Sequence, residues 1–179
     1  MCVVGGMEGL VIVHPGKVYT DAEELGECPA VGQNRDLFYR IAEAAGSGQF
    51  DKCYFLPTGE TYGPMKRIEA KSIIIPHFGT YEDQFVGLKC KLLEDGVDSV
   101  RIAGVKRGAC VQSVQNLLSG KGLDWCDPIN SGFYQPEGWG SEGYEKFCGM
   151  GMNARVIEDL TDSFNNYEVV SQEVRRAVG

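Results

Sequence analysis

Short apolar runs that alternate with helical segments constrain the fold of this chain most strongly. Four runs have the pattern of strands buried on both faces of a parallel sheet: Gly9–Val13, Cys53–Pro57, Ser72–Pro76 and Ser99–Val105. Three segments carry apolar residues at helical spacing: Asn34–Ala45, Tyr81–Glu94 and Ala109–Leu118. Strands that alternate with helices are typical of a parallel sheet with right-handed crossovers, so we predict a three-layer αβα domain.

The last third of the sequence has less regular patterns. Leu123–Ile129 and Ala154–Ile157 read as strands and Glu142–Met150 as a helix, around an aromatic, glycine-rich loop at residues 131–140. The predicted sheet therefore has six strands, mostly parallel. No Pro/Gly/Ser-rich or charged linker divides the chain, which predicts a single domain over residues 1–179. A C-terminal tail, residues 161–179, has helical character and is expected to pack on the domain or contact a neighbouring subunit.

The charge balance argues against two classes of partner. The 17 basic and 25 acidic residues give a net charge of -8, which disfavours electrostatic binding to nucleic acid or to an anionic membrane surface. No basic segment precedes the N-terminal apolar run, which ends at His14–Gly16, so we predict neither a signal peptide nor a membrane span. We expect a cytoplasmic protein whose partners are small molecules or other proteins.

Seven cysteines without C-x-x-C spacing indicate neither a zinc site nor a disulfide framework. Cys53, Cys90 and Cys126 lie in apolar stretches, where a free cysteine behaves as a small buried hydrophobe. Residues 149–154 match a loose dinucleotide-binding pattern, but they precede a strand instead of joining a strand to a helix. We therefore predict no metal and no cofactor.

The chemically interesting residues follow the predicted strands. In an open parallel sheet, ligands bind at the carboxyl ends of the strands. The two histidines of the chain, His14 and His77, lie at such ends, and Cys110 lies in the first turn of the helix after the fourth strand. The helix dipole and the adjacent Lys106 and Arg107 favour a thiolate at Cys110. Cys110 is thus the candidate nucleophile, and the alternative is that it is one more buried thiol.

Residues 85–111 contain a helix, a Gly-Val turn, a strand that ends in Ala-Gly-Val, and a short loop to Cys110-Val. This segment resembles the isochorismatase-like cysteine hydrolases, the superfamily of nicotinamidases and related amidases. Residues 10–15 resemble the first strand of that family, residues 153–157 resemble its last strand, and residues 26–31 and 49–51 match looser elements. The resemblance extends over roughly residues 9 to 160 and implies a Rossmann-like fold, with dimers or tetramers as the common assemblies.

The resemblance also implies an Asp, Lys and Cys triad, in which Asp takes the thiol proton, Lys stabilises charge and Cys attacks a carbonyl carbon. Only Cys110 is retained, because the Asp position is His14 and the Lys position is Ile75. The metal site of nicotinamidases has no counterpart in Thr58–Thr61, so bound zinc or iron is disfavoured.

Two readings of this altered triad remain. In the first, the chain is a cysteine hydrolase that acts on an amide-like C–N bond of a small molecule. His14 is the base, His77 or Lys106 supplies positive charge, and N–H groups of the Ala109–Cys110 turn hold the oxyanion. In the second, the chemistry has been lost and the domain is a binding or structural subunit of a homo-oligomer or larger assembly. The aromatic residues Phe133, Tyr134 and Trp139 of the 131–140 loop are expected to cover either a pocket or an interface, and an interface is the favoured interpretation.

Overall fold

The computed structural model describes residues 5–15, 29–57, 63–77, 81–105, 107–122 and 141–162. The strands in these ranges are β1 (Glu8–Val13), β2 (Lys52–Leu56), β3 (Ile73–Ile74), β4 (Ser99–Val105) and β5 (Asn153–Asp162). The helices are α1 (Pro29–Gly46), α2 (Gly63–Glu69), α3 (Tyr81–Glu94), α4 (Cys110–Leu118) and α5 (Ser141–Gly149). Strands and helices alternate along most of the chain, as the sequence predicts.

The strands form one sheet in the order β3-β2-β1-β4-β5, and every pairing is parallel. β1 lies at the centre, where Val13 is opposite Leu56 of β2 on one side and Gly104 of β4 on the other. This arrangement confirms the predicted α/β class. It is consistent with a Rossmann-like αβα fold, because the strand order reverses between β1 and β4.

Both faces of the sheet are covered, which explains why its strands read as continuous apolar runs. Val11 and Val13 face a core that includes α3, α4 and Phe147 of α5. Leu10 and Ile12, the alternate residues of β1, face a second core that includes residues of α1 and α2. These four side chains of β1 are fully buried. Helices therefore pack on both faces of the central strands.

Three predictions about individual elements need correction. The predicted loop between β2 and β3 contains α2, whose two buried apolar residues, Met65 and Ile68, are too few to produce a visible helical period. The third strand is confined to Ile73–Ile74, because the Ser72 N–H completes a turn with Glu69 and Pro76 has no N–H to donate to a ladder. β5 extends to Asp162, well past the predicted Ala154–Ile157.

The predicted count of six strands is not reproduced in the described ranges, which contain five. β5 corresponds to the predicted sixth strand, and it pairs directly with β4. The predicted fifth strand, Leu123–Ile129, and the aromatic loop that follows it lie outside the described residues. So does the tail from residue 163 onward.

Candidate active site

The sheet topology brings the ends of β1 and β4 together. These strands are neighbours, and their connections leave on opposite faces, since α1 packs on one core and α4 on the other. In open α/β sheets, this switch point forms the crevice in which ligands bind. His14 follows β1 directly, and Cys110 begins α4 five residues after β4. Both predicted reactive residues therefore follow the two strands that flank the crevice.

An unusual backbone conformation at His14 sets the direction of its side chain. Side chains alternate along β1, so a regular continuation would turn the residue after Val13 toward the α1 face. His14 instead has a φ of 44°, a left-handed value that is uncommon for a residue with a side chain. Its ring lies against α3, with centroids 4.6 Å from Tyr81 and 5.6 Å from Phe85. Only 6% of His14 is exposed.

A glutamine of α3 fixes the tautomer of this histidine. The Gln84 side-chain amide donates to the carbonyl oxygens of Pro57 and Ile75, at 2.9 and 2.8 Å. Its Oε1 atom must then accept the 2.8 Å hydrogen bond to His14 Nε2, which assigns the proton to that nitrogen. Nδ1 of His14 consequently carries the lone pair, and it is the basic atom of the ring.

The surroundings of His14 keep it neutral. Burial lowers the pKa of its ring to about 4, the hydrogen bond with Gln84 raises the pKa, and the charge of His77 lowers it. A neutral imidazole can accept a proton at neutral pH, but it holds that proton weakly. His14 is therefore a hydrogen-bond acceptor at Nδ1, with a much weaker affinity for a proton than an ordinary histidine.

Acid should destabilise the protein through His14. Its folded-state pKa of about 4 lies below the ordinary value of 6.5, so the unfolded chain binds more protons between these two pH values. The free energy of unfolding should fall as pH falls through this window, by up to about 3 kcal/mol. Urea titrations of the wild type and of His14→Gln at several pH values measure the effect, because glutamine places a donor near the Nε2 position and does not titrate.

The exposed His77 provides the control for this measurement. A His77→Gln variant should keep most of the wild-type pH dependence and move it slightly to higher pH, because the charge of His77 no longer lowers the pKa of His14. His14→Gln should lose this dependence. Parallel profiles for the wild type and His14→Gln would contradict the assignment.

Cys110 is the first residue of α4, and its thiol is half-buried against the core that Val13 and Val111 share. Ala109 is the N-cap and makes no side-chain capping bond. Its carbonyl accepts from both the N–H and the hydroxyl of Ser113, each at 2.9 Å. Alanine has no side-chain oxygen with which to cap the first N–H groups of α4.

Two basic residues, Lys106 and Arg107, were expected to add positive charge beside Cys110. The Arg107 guanidinium forms an ion pair with the Glu158 carboxylate and donates to the carbonyl oxygens of Glu158 and Thr161, at 2.6 and 3.0 Å. These groups belong to a bulge in β5, where β5 advances by five positions from Val156 to Thr161 while β4 advances by two. Arg107 thus anchors the loop before α4 to β5, and Glu158 neutralises its charge. Lys106 lies outside the described residues.

The remaining predicted site residues divide between surface and core. His77 is exposed and contacts the ring of Tyr81 edge-on, with centroids 5.1 Å apart. Ile75, where the sequence resemblance predicts the position of a lysine, is buried in the core with Phe85. In the described part of the chain, His14 forms its side-chain hydrogen bond with Gln84 and none with Cys110. The roles of Cys110, His14, Ala109, Lys106 and His77 in catalysis stay predictions.

Gln84 was not among the site residues predicted from the sequence, although its position in α3 indicates a buried polar group. It lies one turn before Leu88 and one residue before Phe85, on the apolar face of α3, and it is 1% exposed. A polar residue on the buried face of a helix requires hydrogen-bond partners. Such a residue near two strand ends is therefore a site candidate that periodicity alone can identify.

The described residues bear on two further questions, metal binding and membrane insertion. No group of three or more His, Cys, Asp or Glu side chains there is placed to hold a metal ion. No helix in the same ranges is both long enough and apolar enough to cross a membrane.

Comparison with known proteins adds no relative: no family model, no curated protein and no solved structure matches this chain.

Proposed function

We propose that this protein is a cysteine hydrolase that cleaves an amide-like C–N bond of a small molecule, with Cys110 as the nucleophile. The observation that carries the proposal is the position of Cys110 at the start of α4, beside the crevice between β1 and β4. A thiol in the first turn of a helix is exposed to the positive end of the helix dipole, which stabilises the thiolate.

The proposed reaction proceeds in two steps. The Cys110 thiolate attacks the carbonyl carbon, the S–C bond forms, and the C–N bond breaks as the leaving nitrogen takes up a proton. Water then hydrolyses the thioester, which releases the carboxylic acid and restores the thiol. The N–H groups at the start of α4 would hold the oxyanion in both steps.

His14 contributes a neutral acceptor in this proposal. Because Nε2 donates to Gln84, Nδ1 is available to accept the thiol proton or to orient water. Its pKa of about 4 makes it a weak base, so the thiolate relies chiefly on the helix dipole. The proposed reaction requires no metal or cofactor, because the Cys110 thiol is the nucleophile.

One set of contacts favours the second candidate function, a non-catalytic binding or structural subunit. Gln84 satisfies two strand-end carbonyls and His14 at once, which is what a purely structural network does. Ile75 also fills the position of the family lysine with an apolar side chain. Under this reading, the thiol of Cys110 has no special reactivity.

Site-specific alkylation separates the two functions. With iodoacetamide at pH 7, Cys110 should react at least about tenfold faster than Cys53, Cys90 and Cys148, because a thiolate-stabilising site raises the fraction of reactive thiolate. Cys148 is the matched control, since it is half-buried like Cys110, and the comparison with Cys148 decides the test. Burial raises the pKa of the Cys53 and Cys90 thiols, which slows their reaction. Mass spectrometry of the labelled peptides gives each rate.

Hydrolysis completes the test. A panel of small amides and related C–N substrates should yield a turnover that disappears in Cys110→Ala. Equal alkylation of the four thiols, together with no turnover on the panel, would favour the binding subunit. Turnover that survives Cys110→Ala would refute Cys110 as the nucleophile.

A further inference from the structure

A pocket of about 480 Å³ lies between α1 and α2, on the face of the sheet that these two helices cover. Cys53, the second residue of β2, lines it, so the pocket is near the amino ends of the strands. The crevice between β1 and β4 is at their carboxyl ends, and the two sites are therefore separate. We call this site the α1–α2 pocket. Its volume is within the range of small-molecule sites.

Small side chains leave the α1–α2 pocket open. Leu37, Phe38 and Ile41 fill the core under the first half of α1. The second half of α1 has small residues, and three of them line the pocket: Ala42, Ala45 and Gly46. Cys53 and Ile68 complete an apolar floor. Such a floor binds the apolar part of a ligand by removing it from water.

The α2 wall of the pocket is positively charged. Arg67 lies in the last turn of α2, Lys71 follows it by four residues, and both side chains are exposed. Neither of them forms an ion pair with another part of the chain that the structure describes. Two cations at one wall fit a carboxylate group. Cations in the last turn also stabilise the helix itself. Lys66, in the same turn, does not line the pocket, so it can distinguish the two roles.

The α1 wall has the opposite charge. Glu43 lines it, is exposed and has no cationic partner among the described residues. The Ala45 carbonyl is at the C-terminal end of α1, where the helix dipole is negative. Within the described ranges, this oxygen accepts only from the Cys53 thiol, a weak donor, at 3.9 Å. A carboxylate and a carbonyl with spare capacity fit an ammonium group.

We propose that the α1–α2 pocket binds a small zwitterion with an apolar body, of the class of amino acids with apolar side chains. The ligand carboxylate lies toward Arg67 and Lys71, and its ammonium lies toward Glu43 and the Ala45 carbonyl. Its apolar side chain lies on the floor. A simple anion would be repelled by the α1 wall and a simple cation by the α2 wall, so a ligand with both charges matches the pocket best. The proposal does not depend on the hydrolase function, because Cys110 does not line this pocket.

Binding of L-phenylalanine and of two analogues tests the charge assignment. 3-Phenylpropionate lacks the amine and 2-phenylethylamine lacks the carboxylate, while both keep the phenyl ring. Titration calorimetry with the full chain should give a Kd at least about tenfold higher for each analogue than for L-phenylalanine. L-Leucine, with a smaller side chain, is the second amino-acid probe.

Three substitutions assign the binding to the two walls of the pocket. Arg67→Gln and Glu43→Gln should each raise the Kd for L-phenylalanine at least about threefold. Lys66→Gln is the matched control and should leave the Kd unchanged, because Lys66 is exposed on the same turn of α2 outside the pocket. Thermal melts establish that each variant is folded before its binding is measured.

Alkylation of Cys53 locates the bound ligand. L-Phenylalanine near saturation should slow the reaction of Cys53 with iodoacetamide at least about fivefold and should not change that of Cys148. Absence of binding by both L-phenylalanine and L-leucine would overturn the proposal. So would an analogue that binds as tightly as L-phenylalanine, or protection of Cys110 without protection of Cys53.

Discussion

Gly104→Ala should destabilise this protein more than any other single methyl addition in the described sheet. Gly104 lies in β4 opposite Val13, with a φ of 124° that residues with side chains rarely adopt. A Cβ atom there would lie 2.1 Å from the Val13 carbonyl oxygen and 2.8 Å from its nitrogen. Both are backbone atoms of the central strand, so they cannot rotate away as the end of a side chain can.

We expect Gly104→Ala to lower the free energy of unfolding by at least about 3–5 kcal/mol, which is a large fraction of the stability of a typical domain. Urea titration followed by circular dichroism measures the loss. Because the clash is with the residue before His14, any protein that does fold should also show a changed environment of His14. The histidine ring signals in NMR spectra would report that change.

Gly143→Ala is the matched control for this substitution. Gly143 lies in α5, where a Cβ atom would meet nothing within 4 Å in the described part of the chain. Alanine there should raise the free energy of unfolding by up to about 1 kcal/mol, through helix propensity. If the two variants had similar stability, the close approach of Gly104 to Val13 would be wrong.

Lys89→Ala should give the second largest loss. Lys89 is fully buried on α3, and its ammonium donates to the Leu117 and Cys148 carbonyl oxygens, at 2.9 and 3.2 Å. These carbonyls lie in the last turns of α4 and α5, and the ammonium also lies over the Phe147 ring, 4.9 Å from its centroid. One side chain therefore joins the C-terminal ends of two helices, where the carbonyl oxygens and the helix dipoles favour a cation.

Alanine at this position removes the buried stem and leaves both carbonyls without the donor. The expected loss is about 3–4 kcal/mol, from the cavity and the two lost hydrogen bonds together, although the Leu117 carbonyl still accepts from the Gly120 N–H at 3.3 Å. Lys89→Met keeps most of the volume and should lose less, while Lys146→Met, at an exposed position of α5, should change stability by less than about 0.5 kcal/mol. Chemical denaturation of the three variants gives this order, and equal losses for Lys89→Ala and Lys146→Met would refute the role of Lys89.

Alkaline pH provides an independent measure of the same side chain. Burial lowers the pKa of Lys89 to about 8, while the nearby Cys148 and Cys90 thiols raise it. The unfolded chain therefore binds more protons than the folded chain between about pH 8 and the ordinary lysine value of 10.5. Relative to Lys89→Met, the wild type should gain stability as pH rises through this window. Loss of the proton does not remove the two hydrogen bonds, because the neutral amine of Lys89 still donates to both carbonyls.

Periodicity predicted most of the architecture. The bounds of α3 and β4 agree with the predicted Tyr81–Glu94 and Ser99–Val105, because each segment repeats its apolar residues over several turns or strand positions. α2 and the length of β5 were missed for the opposite reason. Among the described side chains of α2, two apolar ones are buried, and the bulge of β5 interrupts the alternation of that strand.

The candidate site was predicted less completely. Strand ends are visible in a sequence, so Cys110 and His14 could be assigned to the crevice from the order of elements alone. The direction of the His14 ring could not be assigned, because it depends on a φ of 44° at a single residue. Its partner Gln84 lies 70 positions away, and contacts at that separation exist only once the sheet and α3 are packed together.

The alternation of buried strands with amphipathic helices established the α/β class and the positions of Cys110 and His14 at the ends of strands, because both are local properties of the chain. Tertiary packing set the chemistry at those positions. It buried His14 and lowered its pKa, paired Arg107 with Glu158, and placed Ile75 in the core. The physical reason is that desolvation and charge pairing depend on groups from distant segments, which a local pattern does not specify.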